Sequence, residues 1–112
     1  IKCRNLYLTN DIDGALENIW DAFERLKTIY ANIDKKASIK KICENCATSL
    51  DFDNINSAFE ELTYIGNNYQ IRHFETNKKQ ITDNNTKVYL YFRMLTLITF
   101  AIKQLEAEKN DL

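Results

Sequence analysis

The chain contains no proline, and its 112 residues include only two glycines, Gly14 and Gly66. Because short strands and tight turns depend on these two residue types, their scarcity argues against a fold built from many strands. Long helices with few connections fit the composition better. Hydrophobic residues make up 45% of the chain, which is enough for one domain of this length to bury a core. We therefore expect residues 1–112 to form a single helical domain.

A charge excess of either sign is also missing, because 15 lysines and arginines face 16 acidic residues, giving a formal net charge of −1. Any contact with nucleic acid or an anionic membrane must then come from a local patch. The sequence opens with Ile1 rather than methionine, and no apolar stretch of the kind found in signal peptides follows, so we expect a fragment of a larger protein. The longest apolar stretch, 88–102, is interrupted by polar residues and is too short to cross a bilayer. No membrane contact is predicted.

The cysteines are Cys3, Cys43 and Cys46, an odd number without a disulfide framework. This pattern indicates a reducing compartment, and we predict a cytoplasmic location. Cys43 and Cys46 have C-x-x-C spacing, but no second pair or histidine cluster completes a zinc site. A redox motif would need a βαβ context, whereas this pair lies in a helical pattern. We interpret the pair as two small residues on a helix, and we predict no metal and no cofactor.

Apolar residues recur at helical spacing in four segments. The first face follows steps of four and three and comprises Ile12, Leu16, Ile19, Phe23, Leu26 and Tyr30. The patterns predict helices over 11–31, 35–49, 54–67 and 86–108, with Asp53 or Asn54 as the cap of the third helix and Gly66 as its stop. Short connections favour antiparallel neighbours, so the predicted fold is an all-α, antiparallel up-and-down four-helix bundle. The expected core consists of Trp20, Phe23, Phe59, Leu62, Phe92, Leu95 and Ile98.

The fourth predicted helix is apolar around most of its circumference. A helix of this kind is either central in the bundle or covered on a second side by a partner. A monomer this small has too little structure to bury it completely. We therefore expect a homodimer through the fourth helix, or packing of that helix on an absent domain.

A polar segment precedes the fourth helix and holds the only histidine, His73. An imidazole can move a proton near neutral pH, and the adjacent guanidinium of Arg72 can hold a phosphate. Nearby side chains could orient a ribose or stack on a base, namely Asn67, Asn68, Tyr69 and Gln70. The set suits metal-free RNA cleavage with the ribose 2′-hydroxyl as nucleophile. The alternative is a surface loop with a solvated histidine, which is the more common situation.

The first predicted helix carries a dense polar stripe beside a single indole. Its members are Trp20, Asp21, Glu24, Arg25, Lys27 and Thr28. Ion pairs on a solvated surface explain most of such a stripe. The alternative is a role in facing the His73 segment.

Two stretches of the chain resemble HEPN-type domains of bacterial abortive-infection proteins, especially AbiJ-like ones. They are Asn-Asn-Tyr-Gln-Ile-Arg-His-Phe-Glu over 67–75, followed by the long apolar helix, and Ile-Trp-Asp-Ala-Phe-Glu-Arg-Leu-Lys-Thr over 19–28. The resemblance runs from about residue 11 to residue 105. It implies a helical bundle that dimerises and brings two polar motifs to a shared cleft. It also implies a metal-independent ribonuclease of phage defence.

The family motif is an arginine followed, a few residues later, by a histidine, and its histidine corresponds to His73. The arginine position holds Asn68 or Asn67, and Arg72 lies beside the histidine instead. The resemblance thus implies a phage-defence domain that binds RNA through the 67–73 residues, with cleavage if His73 and Arg72 supply the catalytic groups. The alternative functions are a non-catalytic dimerisation or interaction module and a ligand-sensing module. Catalysis predicts a cleft around His73, whereas the interaction module predicts an exposed loop and an apolar dimer surface.

Overall fold

The computed structural model describes the backbone of residues 2–111 and the side chains of residues 11–107. It contains four helices: α1 (Lys2–Lys27), α2 (Lys35–Cys46), α3 (Phe52–Asn68) and α4 (Asn84–Asp111). Between residues 2 and 111 there is no strand, only an isolated parallel bridge between Tyr69 and Lys79. The predicted all-α four-helix bundle is confirmed.

The ends of α1 and α2 differ from the predicted bounds. Helix α1 begins at Lys2, but its backbone is kinked at Asp11, where φ is −140° and ψ is 36°. The predicted start at residue 11 therefore marks a real break in the helix. At the other end α1 stops at Lys27, short of the predicted residue 31, because the following N–H groups close turns onto carbonyls three residues back. Helix α2 ends at Cys46 rather than residue 49, since Ala47 is extended.

The helix caps are made by aspartates. Asp34 precedes α2, and its Oδ1 accepts a hydrogen bond of 2.8 Å from the N–H of Ala37. Asp51 precedes α3, and its N–H donates to Oδ1 of Asn54 at 3.0 Å. The predicted caps of α3, Asp53 and Asn54, are wrong, because α3 begins two residues earlier than predicted and both residues lie inside its first turn.

Gly66 does not stop α3, which continues to Asn68. In the described part of the chain no residue has positive φ, so the glycine is not used for a left-handed cap. A Cβ atom on Gly66 would instead lie 2.0 Å from Cη2 of Trp20. The glycine lets the indole on α1 pack directly against the backbone of α3.

The core lies between all four helices, and α2 contributes the fully buried Ile42, Cys43 and Cys46 to it. Trp20, Phe23, Phe59, Leu62 and Ile98 are buried as predicted, and the rings of Phe23 and Phe59 stack with centroids 5.6 Å apart. Phe92 and Leu95 are only partly buried, contrary to the prediction. Helix α4 instead turns Leu90, Met94, Ile98 and Ala101 inward. The apolar pattern of α4 runs almost all round, so it does not specify which face points to the core.

Two grooves show how α3 and α4 are placed relative to each other. Ile55, early in α3, borders one groove together with Phe100, late in α4. Ile65, late in α3, borders another groove together with Leu90, early in α4. The two helices therefore run antiparallel, as expected for neighbours in sequence.

By length and composition alone, residues 84–107 of α4 form one helix that could cross a membrane, and 28% of an 18-residue window within it is buried inside the bundle. A core helix or an interface helix of a globular domain has the same composition. The absence of membrane contact and the cytoplasmic location stay predictions.

Candidate functional site

The segment from 69 to 83, which joins α3 to α4, is tied back to the end of α3 by its own backbone. The N–H of Gln70 donates to the carbonyl of Lys79 at 2.7 Å, and the N–H of Lys79 donates to the carbonyl of Asn68 at 3.2 Å. These two bonds close residues 70–79 into a loop. The polar residues singled out in the sequence lie in this loop or just before it.

Glu75 holds the loop together from inside. Its Oε1 accepts from the N–H groups of Ile71 at 3.2 Å and Arg72 at 2.9 Å, and its Oε2 accepts from Nζ of Lys78 at 2.9 Å. Lys78 in turn donates to the carbonyl of Gly66 at 3.0 Å. Burial acts to raise the pKa of Glu75, but the hydrogen bonds from Lys78 and the two N–H groups outweigh it and hold the pKa below its ordinary value. Sequence reasoning assigned Glu75 no role, because a loop acid offers no periodic pattern.

His73 lies on the outside of the loop, with its side chain 86% exposed. Its Nδ1 is 3.7 Å from Oε1 of Glu17 on α1, and its carbonyl accepts a hydrogen bond of 2.9 Å from Nε2 of Gln70. The neighbouring Phe74 is 67% exposed and meets the imidazole edge-on, with ring centroids 6.0 Å apart. His73 lines neither of the two grooves that involve α4, nor the groove that lies between α2 and α3. The imidazole thus stands on an open surface.

Arg72 also faces α1, but it is less exposed than His73. Its NH2 group is 2.5 Å from Oδ1 of Asp21, and its NH1 group is 3.7 Å from Oε2 of Glu75. The guanidinium is therefore shared by two carboxylates, which would compete with a phosphate for it. Asp21 shows that part of the polar stripe on α1 does face the His73 loop, and Glu17, one turn earlier on α1 and outside the stripe, faces it as well.

The remaining predicted RNA-binding residues are directed to different neighbours. Nδ2 of Asn68 donates to the carbonyl of Tyr64 at 2.8 Å, one turn back in α3. Asn67 is exposed and borders a groove between α2 and α3. Tyr69 is half-buried, with Nζ of Lys79 5.8 Å from its ring centroid. Of the six predicted residues, Gln70 and His73 are joined by a hydrogen bond, whereas the side chains of Arg72, Asn68 and Tyr69 contact other neighbours.

The other part of the polar stripe on α1 is not on the surface. Trp20 is buried, and Lys27 is fully buried although it carries a charge. Lys27 pairs with Glu24, and its Nζ donates to Oγ1 of Thr63 on α3 at 3.0 Å. The interpretation of the stripe as a solvated surface is wrong for these two residues. Their helical spacing places them on the face that packs against α3.

Cys43 and Cys46 are fully buried in α2, as the interpretation of two small helix residues predicted. Burial, reinforced by the neighbouring Cys46 and by Glu60 and Glu44, raises the pKa of the Cys43 thiol to about 11. A thiol of this kind is almost entirely protonated at neutral pH and reacts slowly. The arrangement speaks against a redox role for the pair.

The reactivity of the two thiols provides a direct check. In a Cys3→Ser variant at pH 8, we expect Cys43 and Cys46 to react with Ellman's reagent at least about 100-fold more slowly in the native protein than in guanidinium, since both thiols are buried and the raised pKa of Cys43 opposes its conversion to the thiolate. Rapid native labelling, or a disulfide joining the two cysteines after mild oxidation, would contradict this assignment.

No group of three histidine, cysteine or acidic side chains able to hold a metal ion is found among residues 11–107. The predicted absence of metal and cofactors stays a prediction.

A second candidate site, separate from the His73 loop, is an apolar groove of about 490 Å³ between α3 and α4, which we call the α3/α4 groove. Its apolar lining includes Leu50, Ile55, Tyr89, Phe92, Leu97 and Phe100. The charged residue that lines it is Arg93, which pairs with Glu61 and lies over the ring of Tyr89 at 5.6 Å. The apolar pattern of α4 indicated an unsatisfied face, but only the structure shows that residues of α3 share it.

Comparisons of the chain with protein-family models, with curated proteins and with solved structures give no match. The resemblance to HEPN-type domains stays a prediction.

Proposed function

We propose that this domain is a non-catalytic interaction module that pairs with a second copy of itself through the α3/α4 groove. The observation that carries the proposal is the groove itself, an apolar depression with two large, exposed side chains at its border. Leu50 is 54% exposed and Tyr89 is 57% exposed. Exposed apolar area collected in one place is typical of a protein–protein contact.

The charges around the groove favour a second copy over a charged partner. In a two-fold contact the same patch meets itself, so any unpaired charge is brought close to its own copy. Arg93 is already neutralised by Glu61 of the same chain. The groove therefore offers apolar area without a like-charge penalty.

The size of α4 also suits such a contact. A stable interface buries about 800 Å² per partner, which is roughly a tenth of the 7622 Å² surface of the domain. Helix α4 has 28 residues and is about 42 Å long at the α-helical rise. The groove and the adjoining outer face of α4 can together supply that area.

The surroundings of His73 support a role other than catalysis. A general base is usually held by neighbours within reach of its substrate, in a pocket that limits water. His73 is solvated, and Arg72 is committed to Asp21. An exposed loop together with an apolar surface is the combination that distinguishes an interaction module from a ribonuclease.

Thr96 gives a sharp test of the proposed dimer, because it lines the groove and is itself exposed. We expect Thr96→Glu to weaken self-association at least about tenfold, since each copy would bring an unpaired carboxylate into the apolar contact. Sedimentation equilibrium measures the dissociation constant, and the same substitution at the exposed Thr76 in the loop serves as the matched control. A domain that is monomeric at millimolar concentration would refute the proposal. So would a dimer that tolerates Thr96→Glu.

A second candidate function is RNA contact by the loop, and we propose it because of the exposed rings of His73 and Phe74. The two rings stand side by side on a loop that Glu75 and Lys78 hold in place. A fixed aromatic ring next to an imidazole suits stacking with unpaired bases. RNA binding by the loop agrees with the expected role in phage defence, and the same loop would cleave the bound RNA if His73 acted as a general acid–base.

His73→Ala tests this candidate with little risk to the fold. Because the side chain is 86% exposed, the melting temperature should change by less than about 2 °C. Loss of a general acid–base would lower a cleavage rate on the order of a hundred- to ten-thousand-fold. A labelled single-stranded RNA reports binding by anisotropy and cleavage on a gel, and Asn68→Arg places the family's usual charge at the upstream position. Full activity in His73→Ala would exclude the loop as the site.

A further inference from the structure

A second groove runs between α2 and α3 on another part of the domain, and neither proposed function uses it. Its volume is about 1070 Å³, and we call it the α2/α3 groove. The apolar lining comes from Ile39 on α2 and from Phe52 and Phe59 on α3. The residues of α3 that line it extend from Phe52 to Asn67, which at the α-helical rise is about 22 Å. The groove is thus a trough much longer than a nucleotide or a metabolite.

The α2 side of this groove carries free positive charge. Lys36 and Lys40 both line it, are exposed, and have no carboxylate within ion-pairing distance among residues 11–107. They are four residues apart and therefore point in the same direction on successive turns of α2. Lys35 is already paired with Glu24 at 2.9 Å, and Asp34 is occupied as the cap of α2.

The α3 side differs from the α2 side. Glu60 lines it with no cationic partner in the described chain, and Thr63 and the 64%-exposed Tyr64 add polar and aromatic contacts. An acidic group on this side opposes the phosphates of a nucleic acid strand lying along the trough. A second copy of the domain would bring more lysines toward Lys36 and Lys40 than the single Glu60 can balance.

We infer that the α2/α3 groove binds an amphipathic helix whose one flank is acidic. The apolar side chains of such a helix, spaced three and four residues apart, would enter the trough over Phe52 and Phe59. Two acidic residues one turn apart on its flank would meet Lys36 and Lys40. A trough of about 22 Å accommodates roughly fifteen helical residues, or four turns.

The chemistry of the ligand can be tested by selection from a displayed library of amphipathic peptides of about sixteen residues, with acidic, basic and neutral residues equally represented on the flanks. We expect the recovered peptides to be enriched in aspartate or glutamate pairs four residues apart, next to an apolar stripe. Backbone amide shifts of the labelled domain should change at Ile39 and Phe52 upon addition of a selected peptide.

Charge reversal then tests the position of the contact. Lys40→Glu should raise the dissociation constant of a selected peptide at least about tenfold at 0.1 M salt, and the difference should shrink at 0.5 M salt because the pair is exposed. The matched control is Lys103→Glu, an exposed lysine of α4 that lines none of the three grooves. The proposal is overturned if the library yields no groove-dependent binder, if the selected peptides lack acidic pairs, or if a single-stranded oligouridylate displaces them.

Discussion

Replacing Gly66 with alanine is expected to destabilise the domain by about 2–3 kcal/mol, the usual result of overpacking a well-filled core. The sign of the change in stability is informative, because replacing glycine with alanine inside a helix otherwise stabilises a protein by up to about 1 kcal/mol. The new methyl group would lie 2.0, 2.3 and 2.5 Å from three ring carbons of Trp20. The indole cannot easily retreat, since it is buried and packs against Phe23 at a centroid distance of 5.6 Å. Urea denaturation followed by circular dichroism measures the change.

Gly14 on α1 is the matched control. A methyl group at Gly14 would meet the carboxylate of Asp11, with the nearest oxygen at 2.7 Å, and an exposed carboxylate can rotate away. Gly14→Ala should therefore change the stability by less than about 1 kcal/mol. A smaller residue at position 20 should recover part of the loss, so Trp20→Leu and Gly66→Ala should be coupled by more than about 1 kcal/mol in a double-mutant cycle. Equal effects of the two alanine substitutions would contradict the packing of Trp20 on Gly66.

Gly66 also shows where sequence reasoning about the fold stops. A glycine followed by two asparagines looks like a helix stop, and no local pattern reveals that an indole 46 positions earlier needs the space. The face of α1 was predictable, because Leu16 and Phe23 belong to a stripe that polar residues flank clearly. The inward face of α4 was not, since apolar residues surround the helix and only its contacts select Leu90 and Met94 over Phe92.

The sequence predicted where along the chain the candidate site lies, but not how its side chains are arranged. The polar composition of the segment before α4 correctly indicated a long connection with His73 at its centre. The direction of each side chain depends on tertiary partners that are distant in sequence. Asp21 draws Arg72 toward α1, and Glu75 folds the loop around its carboxylate. The grooves on both sides of α3 are likewise products of helix packing.

The ion-pair network around the buried Lys27 at the end of α1 is the feature that sequence patterns least suggest. Glu24 receives Lys35 on Oε1 at 2.9 Å and pairs through Oε2 with Lys27. The ammonium of Lys27 lies 4.6 Å from the ring centroid of Phe23 and is fully buried. Burial lowers the pKa of Lys27, although the hydrogen bond and the charge of Glu24 act in the opposite direction. Glu24 thus offsets the cost of burying the charged ammonium of Lys27 in this part of the core.

Removal of Glu24 should consequently have the largest effect on stability of any single change considered. Glu24→Ala leaves the ammonium of Lys27 buried without a carboxylate, and such an unpaired charge costs about 3–5 kcal/mol. Lys27→Met replaces the charge by an apolar chain of similar length, and the same change in Glu24→Ala should restore most of the lost stability. Lys27→Met alone should destabilise the domain less than Glu24→Ala does, because Oε2 of Glu24 is left buried without its cation while Oε1 keeps its pair with the exposed Lys35. Denaturation of the three variants beside the parent protein measures these differences.

The pH dependence distinguishes an electrostatic loss from a packing loss. Burial acts to raise the pKa of Glu24, but the hydrogen bonds from Lys27 and Lys35 prevail and lower the pKa below 4.5. The contribution of Glu24 to the free energy of unfolding is therefore complete above pH 4.5. It declines on acidification, as the folded protein takes up the proton. The folded pKa of Lys27 lies below its unfolded value of 10.5, so the unfolded chain binds this proton more tightly than the folded protein does. The free energy of unfolding therefore rises as the pH increases between the folded and the unfolded pKa of Lys27. Without Glu24 the folded pKa of Lys27 falls further. Stability of Glu24→Ala should therefore recover toward that of the parent protein at alkaline pH, whereas a loss that is the same from pH 6 to pH 10 would assign the effect to packing alone.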